Sequence, residues 1–192
     1  MKFDILLCGV GGQGVLSIAA VIASAAMTDG LFVRQSEVHG MSQRGGGVQA
    51  HLRLSDKPIY SDLIPSGRAD MILSMEPVES LRYLDKLCPQ GILITSSEPF
   101  VNIPNYPEIE KIYDAVKSLP HSYIVQAHDL ALQAGNSKSE NMVLVGAALQ
   151  YIPVKLETVE KSIHDRFAKK DPKLVDINCK ALELGAAAAK KQ

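Results

Sequence analysis

The first apolar run, Phe3 to Cys8, is short and passes at once into Gly9-Val10-Gly11-Gly12-Gln13-Gly14. A brief apolar segment ending in glycines predicts a buried strand followed by a tight turn. Val15 to Met27 is small and apolar nearly throughout and ends at Asp29-Gly30. Its length and alanine content predict a helix, stopped by a glycine beyond its last turn. Apolarity on almost every face predicts that this helix covers a sheet. Leu31 to Arg34 then predicts a second strand, completing a βαβ unit.

From Glu37 to Gly47 the pattern breaks into a polar, glycine-bearing loop. Val48, Ala50, Leu52 and Leu54 then alternate with Gln49, His51, Arg53 and Ser55, a period of two that predicts a strand with one wet or partner-covered face. Met71–Met75 and Ile92–Thr95 predict further strands, with a helix over Val78–Leu87 and a turn at Pro89-Gln90-Gly91 between them. Tyr106–Leu119 predicts an amphipathic helix and Tyr123–Gln126 another strand. Beyond Asn136 the chain reads as helical: Asn141–Gln150 as a core helix, then a helix presenting Leu156, Val159, Ile163 and Phe167, then Leu174–Ala189. Alternating strands and helices with helices at the end predict an α/β fold. The expectation is a Rossmann-like, mostly parallel sheet flanked by helices, with C-terminal helices, in a single domain over residues 1–192.

Composition narrows what such a fold could do. With 192 residues, 46% of them hydrophobic, the chain can bury one full core. A formal net charge of -1 offers no global basic field for nucleic acid or membrane phosphate. The absence of Trp, with aromatics at 5%, argues against a platform for stacking bases. Lys2, Asp4 and the glycines interrupt the N-terminal apolar stretch before it could act as a signal or a span. Cys8, Cys88 and Cys179 are odd in number and far apart, without a C-x-x-C. That spacing suits neither a disulfide framework nor a zinc or iron–sulfur site, and the expected location is a reducing cytoplasm. Any electron transfer through clusters would have to use another chain.

Two loops carry the candidate chemistry. Gly9, Gly11 and Gly14 satisfy G-x-G-x-x-G between a predicted strand and a predicted helix. Glycines there permit close backbone approach, and N–H groups at the helix start attract phosphate. The same loop serves NAD, FAD and other phosphate ligands, or simply lets helix and strand pack closely. For NAD, Glu37 stands roughly where a ribose-binding acid is wanted, but no second crossover helix follows and too little chain remains for a substrate domain. The second loop, Ser36 to Gly47, gathers an acid, an imidazole, amides, a guanidinium and three consecutive glycines. Consecutive glycines are costly in chain entropy unless something needs the backbone close. Arg44 beside them could clamp a phosphate or carboxylate in bidentate fashion. The plainer alternative is a flexible, solvated hairpin loop.

The order of residues goes further than either loop alone. Gly9-Val10-Gly11-Gly12-Gln13-Gly14-Val15, then Ser36-Glu37-Val38-His39-Gly40-Met41-Ser42-Gln43-Arg44-Gly45-Gly46, then His51-Leu52-Arg53, resemble the gamma-type family of pyruvate and 2-oxoacid ferredoxin oxidoreductases. Gly135 to Val143 and Ile163-His164-Asp165-Arg166-Phe167 resemble two later segments of the family, so the likeness spans nearly the whole chain. The Glu37 to Arg44 form is similar to the indolepyruvate:ferredoxin oxidoreductase small (beta) subunits within it.

The resemblance implies a subunit that is inactive alone. A large (alpha) subunit would hold thiamine diphosphate, magnesium and iron–sulfur clusters, decarboxylate an aryl 2-oxoacid and pass electrons to ferredoxin, while coenzyme A accepts the acyl group. It implies that Gly11, Gly12, Gln13 and Gly14 cradle coenzyme A phosphate, that Gln43, Arg44 and Gly45 line the other side of that pocket, and that Met41 and the glycine loop's apolar residues face the large subunit. For His39 two readings stay open: a catalytic residue at the edge of the active centre, bonding substrate or acyl intermediate, or an imidazole anchoring the loop. His51 and Arg53 would meet the partner or water, and Cys8 would be a small buried hydrophobe. Two rivals remain: a self-contained NAD(P)-binding oxidoreductase and a non-catalytic nucleotide-binding module.

Overall fold

The structure, a computed structural model, describes residues 1–39, 45–101, 103–169 and 171–189. Strand β1 (Lys2–Val10) runs through the middle of the sheet, with Ile5, Leu6, Leu7 and Cys8 fully buried. Burial on both faces explains why its sequence is a continuous apolar run. Helix α1 (Val15–Thr28) lies on one face, burying Ile18, Ala19, Ile22, Ala25 and Ala26. It ends as the sequence predicts. Gly30 adopts φ +83°, its N–H donates to the Met27 carbonyl (3.1 Å), and the Leu31 N–H reaches back to Ala26 (2.9 Å). These paired bonds satisfy carbonyls that the last turn would leave open.

Strand β2 (Phe32–His39) is longer than predicted and takes in Glu37 to His39, which the sequence assigns to a loop. Strand β3 (Gly47–Ser55) pairs antiparallel with both β2 and β1 and so lies between them. The predicted βαβ unit is therefore split: β1 and β2 run the same way, but a returning strand separates them. Strand β4 (Ala69–Ser74), β5 (Leu87–Ser96) and β6 (Ser122–Val125) continue in parallel on the far side of β1, giving the order β2-β3-β1-β4-β5-β6. Helix α2 (Pro77–Arg82) is shorter than predicted and gives way to a 3-10 turn at Leu84–Lys86. Pro89-Gln90-Gly91 is not the turn expected but part of β5. It occupies the irregularity between the Ala69–Leu87 and Met71–Ile92 pairs, where a missing N–H interrupts no regular ladder.

Helix α3 (Ile109–Lys117) buries Ile112 and Val116. Helix α4 (Ala127–Ala134), α5 (Glu140–Ala148), α6 (Leu156–Phe167) and α7 (Pro172–Ala189) complete the chain. Together with α1 they bury the main core, whereas Leu6, Cys8, Ile72, Leu93 and Val116 form a smaller core on the opposite face. The result is a mostly parallel α/β sheet flanked by helices, with C-terminal helices against it.

On the polar side of β3, His51 and Arg53 are covered by this chain's own residues. Arg53 makes a two-pronged contact with the fully buried Asp4 (2.9 and 3.1 Å) and donates to the Ser61 and Leu63 carbonyls (3.0 and 2.9 Å). The Ile64 N–H donates to His51 Nδ1 (2.9 Å), and burial lowers the pKa of that imidazole, keeping it a neutral acceptor. Residues 56–66 thus fold over the alternating face and convert it from a wet surface into an internal polar network. Arg53→Ala leaves the Asp4 carboxylate, among the described residues, with Lys2 as its remaining cation (2.7 Å). A loss of about 3 kcal/mol in urea-unfolding stability is expected, as when one partner of a buried pair is removed. A change below about 0.5 kcal/mol, the scale of an ordinary surface substitution, would place the pair in solvent.

Candidate functional site

The sheet changes direction of winding at β1 and β4. The chain leaves β1 through α1 toward β2, and leaves β4 through α2 toward β5, so a crevice opens beyond the carboxyl ends of β1 and β4. Open α/β sheets bind ligands at such switch points. The glycine loop fills this position. Gly12 and Gly14 have φ of +106° and +84°, values that only glycine adopts freely, and Gly14 is the residue from which α1 starts.

Gln13 is fixed in place by three hydrogen bonds. Its Oε1 accepts from the Val10 N–H (2.7 Å), its Nε2 donates to the Met75 carbonyl (3.2 Å), and its own N–H donates to Val10 O (3.1 Å). The side chain ties the end of β1 to the end of β4 and so braces the loop, and Gln13 also lines the cleft beside it. Gly11 is likewise occupied, its N–H donating to the Gly46 carbonyl (2.9 Å). Among the described residues, no partner takes the N–H groups of Gly12, Gly14, Val15 and Leu16. No acidic side chain stands in the first turn of α1. This cluster of donors at a positive helix end suits an anion.

The second loop reaches the first. Besides the Gly11–Gly46 bond, the Gly45 N–H lies 3.5 Å from the Gly11 carbonyl, and Gly45 adopts φ +78°. Gln43, Arg44 and Met41 lie outside the described residues, as does the side chain of His39, whose backbone closes β2 against Val48. A cavity of about 290 Å³ lies along Val10, Gly11, Gly12, Val15, Leu16 and Val48. On the other side of the glycine loop, a cleft of about 510 Å³ runs between Gly12, Gly14 and Met75 and the start of α5, where Ser137, Lys138, Glu140 and Asn141 line it.

Lys138 and Asn141 line this cleft, and neither was assigned a role from the sequence. The Asn136 side chain accepts from the Lys138 N–H (3.0 Å), capping a 3-10 turn that sets Lys138 at the cleft. The Asn141 Nδ2 stands 3.0 Å from where a Cβ on Gly14 would be, so the start of α5 touches the glycine loop. The signal for them was Gly135-Asn136, a helix stop with a capping residue just before an apolar helix. Behind the crevice, Glu76 caps α2 by accepting from the Glu79 N–H (2.8 Å) and also accepts from the Tyr106 hydroxyl. Burial raises the Glu79 pKa and drives the Cys8 thiol up to about 12, which removes Cys8 as a nucleophile.

A dinucleotide site of the NAD type fits poorly. Glu37 is on β2, and β3 separates β2 from the glycine loop's own strand by two strand widths, about 9.5 Å. The acid is thus displaced from where a ribose would lie. Among the described residues, no group of three or more His, Cys, Asp or Glu side chains is placed to hold a metal ion.

The chain is similar to several known proteins. Residues 4–188 match the pyruvate ferredoxin/flavodoxin oxidoreductase family. The indolepyruvate oxidoreductase subunit IorB of Pyrococcus horikoshii is 40% identical, over 99% of this chain and 97% of its own length. That of Archaeoglobus fulgidus is 37% identical over 96% and 94%. A 2-oxoglutarate:ferredoxin oxidoreductase from Magnetococcus marinus, solved with 2-oxoglutarate, coenzyme A and succinyl-CoA bound, shares the fold at TM-score 0.80 and 22% identity, covering all of this chain, which spans 31% of that longer one. The gamma subunit of a keto/oxoacid ferredoxin oxidoreductase from Geobacter sulfurreducens does so at TM-score 0.74 and 24% identity, with 99% of both chains covered. The chain therefore belongs to the pyruvate ferredoxin/flavodoxin oxidoreductase family, as a small subunit of the indolepyruvate oxidoreductase kind.

Proposed function

We propose that this chain, as one gamma-type domain over residues 1–192, completes a cytoplasmic thiamine-dependent oxidoreductase that converts aryl pyruvates such as indolepyruvate to aryl-acetyl-CoA with ferredoxin as electron acceptor. A small subunit of a 2-oxoacid:ferredoxin oxidoreductase works with larger subunits, and thiamine diphosphate, magnesium and the iron–sulfur clusters are assigned to the large one. Thiamine diphosphate supplies the carbanion chemistry that releases carbon dioxide from the oxoacid. This chain's part is to hold the phosphate-bearing end of coenzyme A and so aim its thiol at the acyl group formed on the partner.

The observation that carries this reading is the set of N–H groups at Gly12, Gly14, Val15 and Leu16 beside a cleft that also presents Lys138. Oriented amides form a phosphate-binding surface that needs no reorganisation, and an ammonium beside it adds a charge-assisted contact. Gly45, packed on Gly11, would form the other wall together with Gln43 and Arg44, and His39 would lie toward the active centre of the large subunit. Lys138→Ala in the reconstituted complex is expected to raise the KM for coenzyme A about tenfold, the loss of one charge-assisted contact. Oxoacid decarboxylation without coenzyme A should persist. An unchanged KM would remove Lys138 from the coenzyme site.

A further inference from the structure

His128 on α4 lies across a 2.6 Å contact from Glu140, with Nδ1 facing Oε1. Among the described residues, Glu140 is the one carboxylate lining the cleft that holds Gly12, Gly14, Lys138 and Asn141. Left bare, that carboxylate would repel a phosphate-bearing ligand and would compete with it for Lys138. We propose that His128 is a positioning residue for the anionic ligand of this cleft, holding Glu140 and cancelling its charge, so that binding weakens when His128 loses its proton. The proposal rests on the coenzyme A reading given above and adds to it a determinant of anion affinity that touches no ligand itself.

The surroundings favour a protonated His128. The bond to Glu140 raises its pKa above the ordinary 6.5, and Glu98 after β5 and Asp129 on its own helix push the same way against partial burial. Lys138, on the 3-10 turn packed against α4, is the cation that lines the cleft with Glu140. A raised histidine pKa means that the pair is intact below that value and is lost as pH rises through it. Affinity for the anion should therefore fall as pH rises through the raised value, a trend opposite to that of the ligand's own phosphate ionisation.

The test is a coenzyme A titration of the assembled complex from about pH 6 to about pH 8.5, with wild type, His128→Gln, Glu140→Gln and Lys138→Ala. Because the phosphate ionises alike for every protein, ratios between variants isolate the pair. Relative to Glu140→Gln, wild type should lose about twofold to fivefold in affinity over this range, the scale of a partly exposed ion pair. His128→Gln should bind weakly already at the acid end, as wild type does at the alkaline end. If the three pH profiles superimpose while Lys138→Ala still weakens binding, the coenzyme site stands and the role of His128 is overturned. Coenzyme A binding that ignores Lys138 as well would overturn the cleft as the phosphate site, and this proposal with it.

Discussion

Gly185→Ala is expected to cost about 3 kcal/mol or more of folding stability, although alanine is the better helix former by about 1 kcal/mol. A Cβ at Gly185 would stand 1.9 Å from the Val143 carbonyl oxygen, and one at Gly146 would stand 2.0 Å from that of Leu182. The two glycines therefore face one another's helices at the α5–α7 crossing. The obstacle is backbone in each case, so no side chain can swing aside. Nor can α5 retreat, because Asn141 to Ala148 is buried on all sides. The helices would have to separate, opening space around Val143 and Leu182 in the main core. Urea unfolding of Gly185→Ala measures this directly. A midpoint equal to wild type would mean that the crossing is looser than the structure has it.

The second large effect is functional. Gly14→Val should reduce kcat/KM for coenzyme A by about thirtyfold or more, the equivalent of about 2 kcal/mol. A β-branched residue resists the left-handed conformation at φ +84°, and its Cβ would press on Asn141 Nδ2. Either relief, turning the loop or displacing Asn141, moves the N–H groups of Gly14, Val15 and Leu16 away from a common focus. The decarboxylation half-reaction on the large subunit should survive this change. Equal loss of both activities would indicate failed assembly instead of a damaged phosphate site.

Some of this site was legible in the sequence for physical reasons. The glycine loop is a local feature: strand, G-x-G-x-x-G and helix follow one another, and the required backbone conformations can be read from residue types. The Gly30 stop was legible in the same way. What escaped reading was what distant segments bring together. The alternating face of β3 read as wet or partner-covered because period two reports only that one face is polar, not what covers it; residues 56–66 cover His51 and Arg53. The place of β3 between β2 and β1 is a choice of strand order, which local pattern does not encode. Helix α4 left little signal, since alanines at 127, 131 and 134 fill its buried face. Lys138 and Asn141 reach the glycine loop only because α5 packs beside α1. The bracing contact of Gln13 with Met75 was not legible either, because it depends on β4 being the neighbour of β1.

The central claim is that this small subunit itself holds the phosphate end of coenzyme A, and labelling tests it most directly. A coenzyme A analogue with a photoreactive group on its adenine end would be crosslinked to the assembled complex, and the modified peptides identified by mass spectrometry. The account predicts labels on this chain around Gly12 to Leu16 and Ser137 to Asn141, suppressed by excess coenzyme A. Labels confined to the large subunit and equally suppressible would contradict it, leaving this chain to shape the complex without touching the coenzyme.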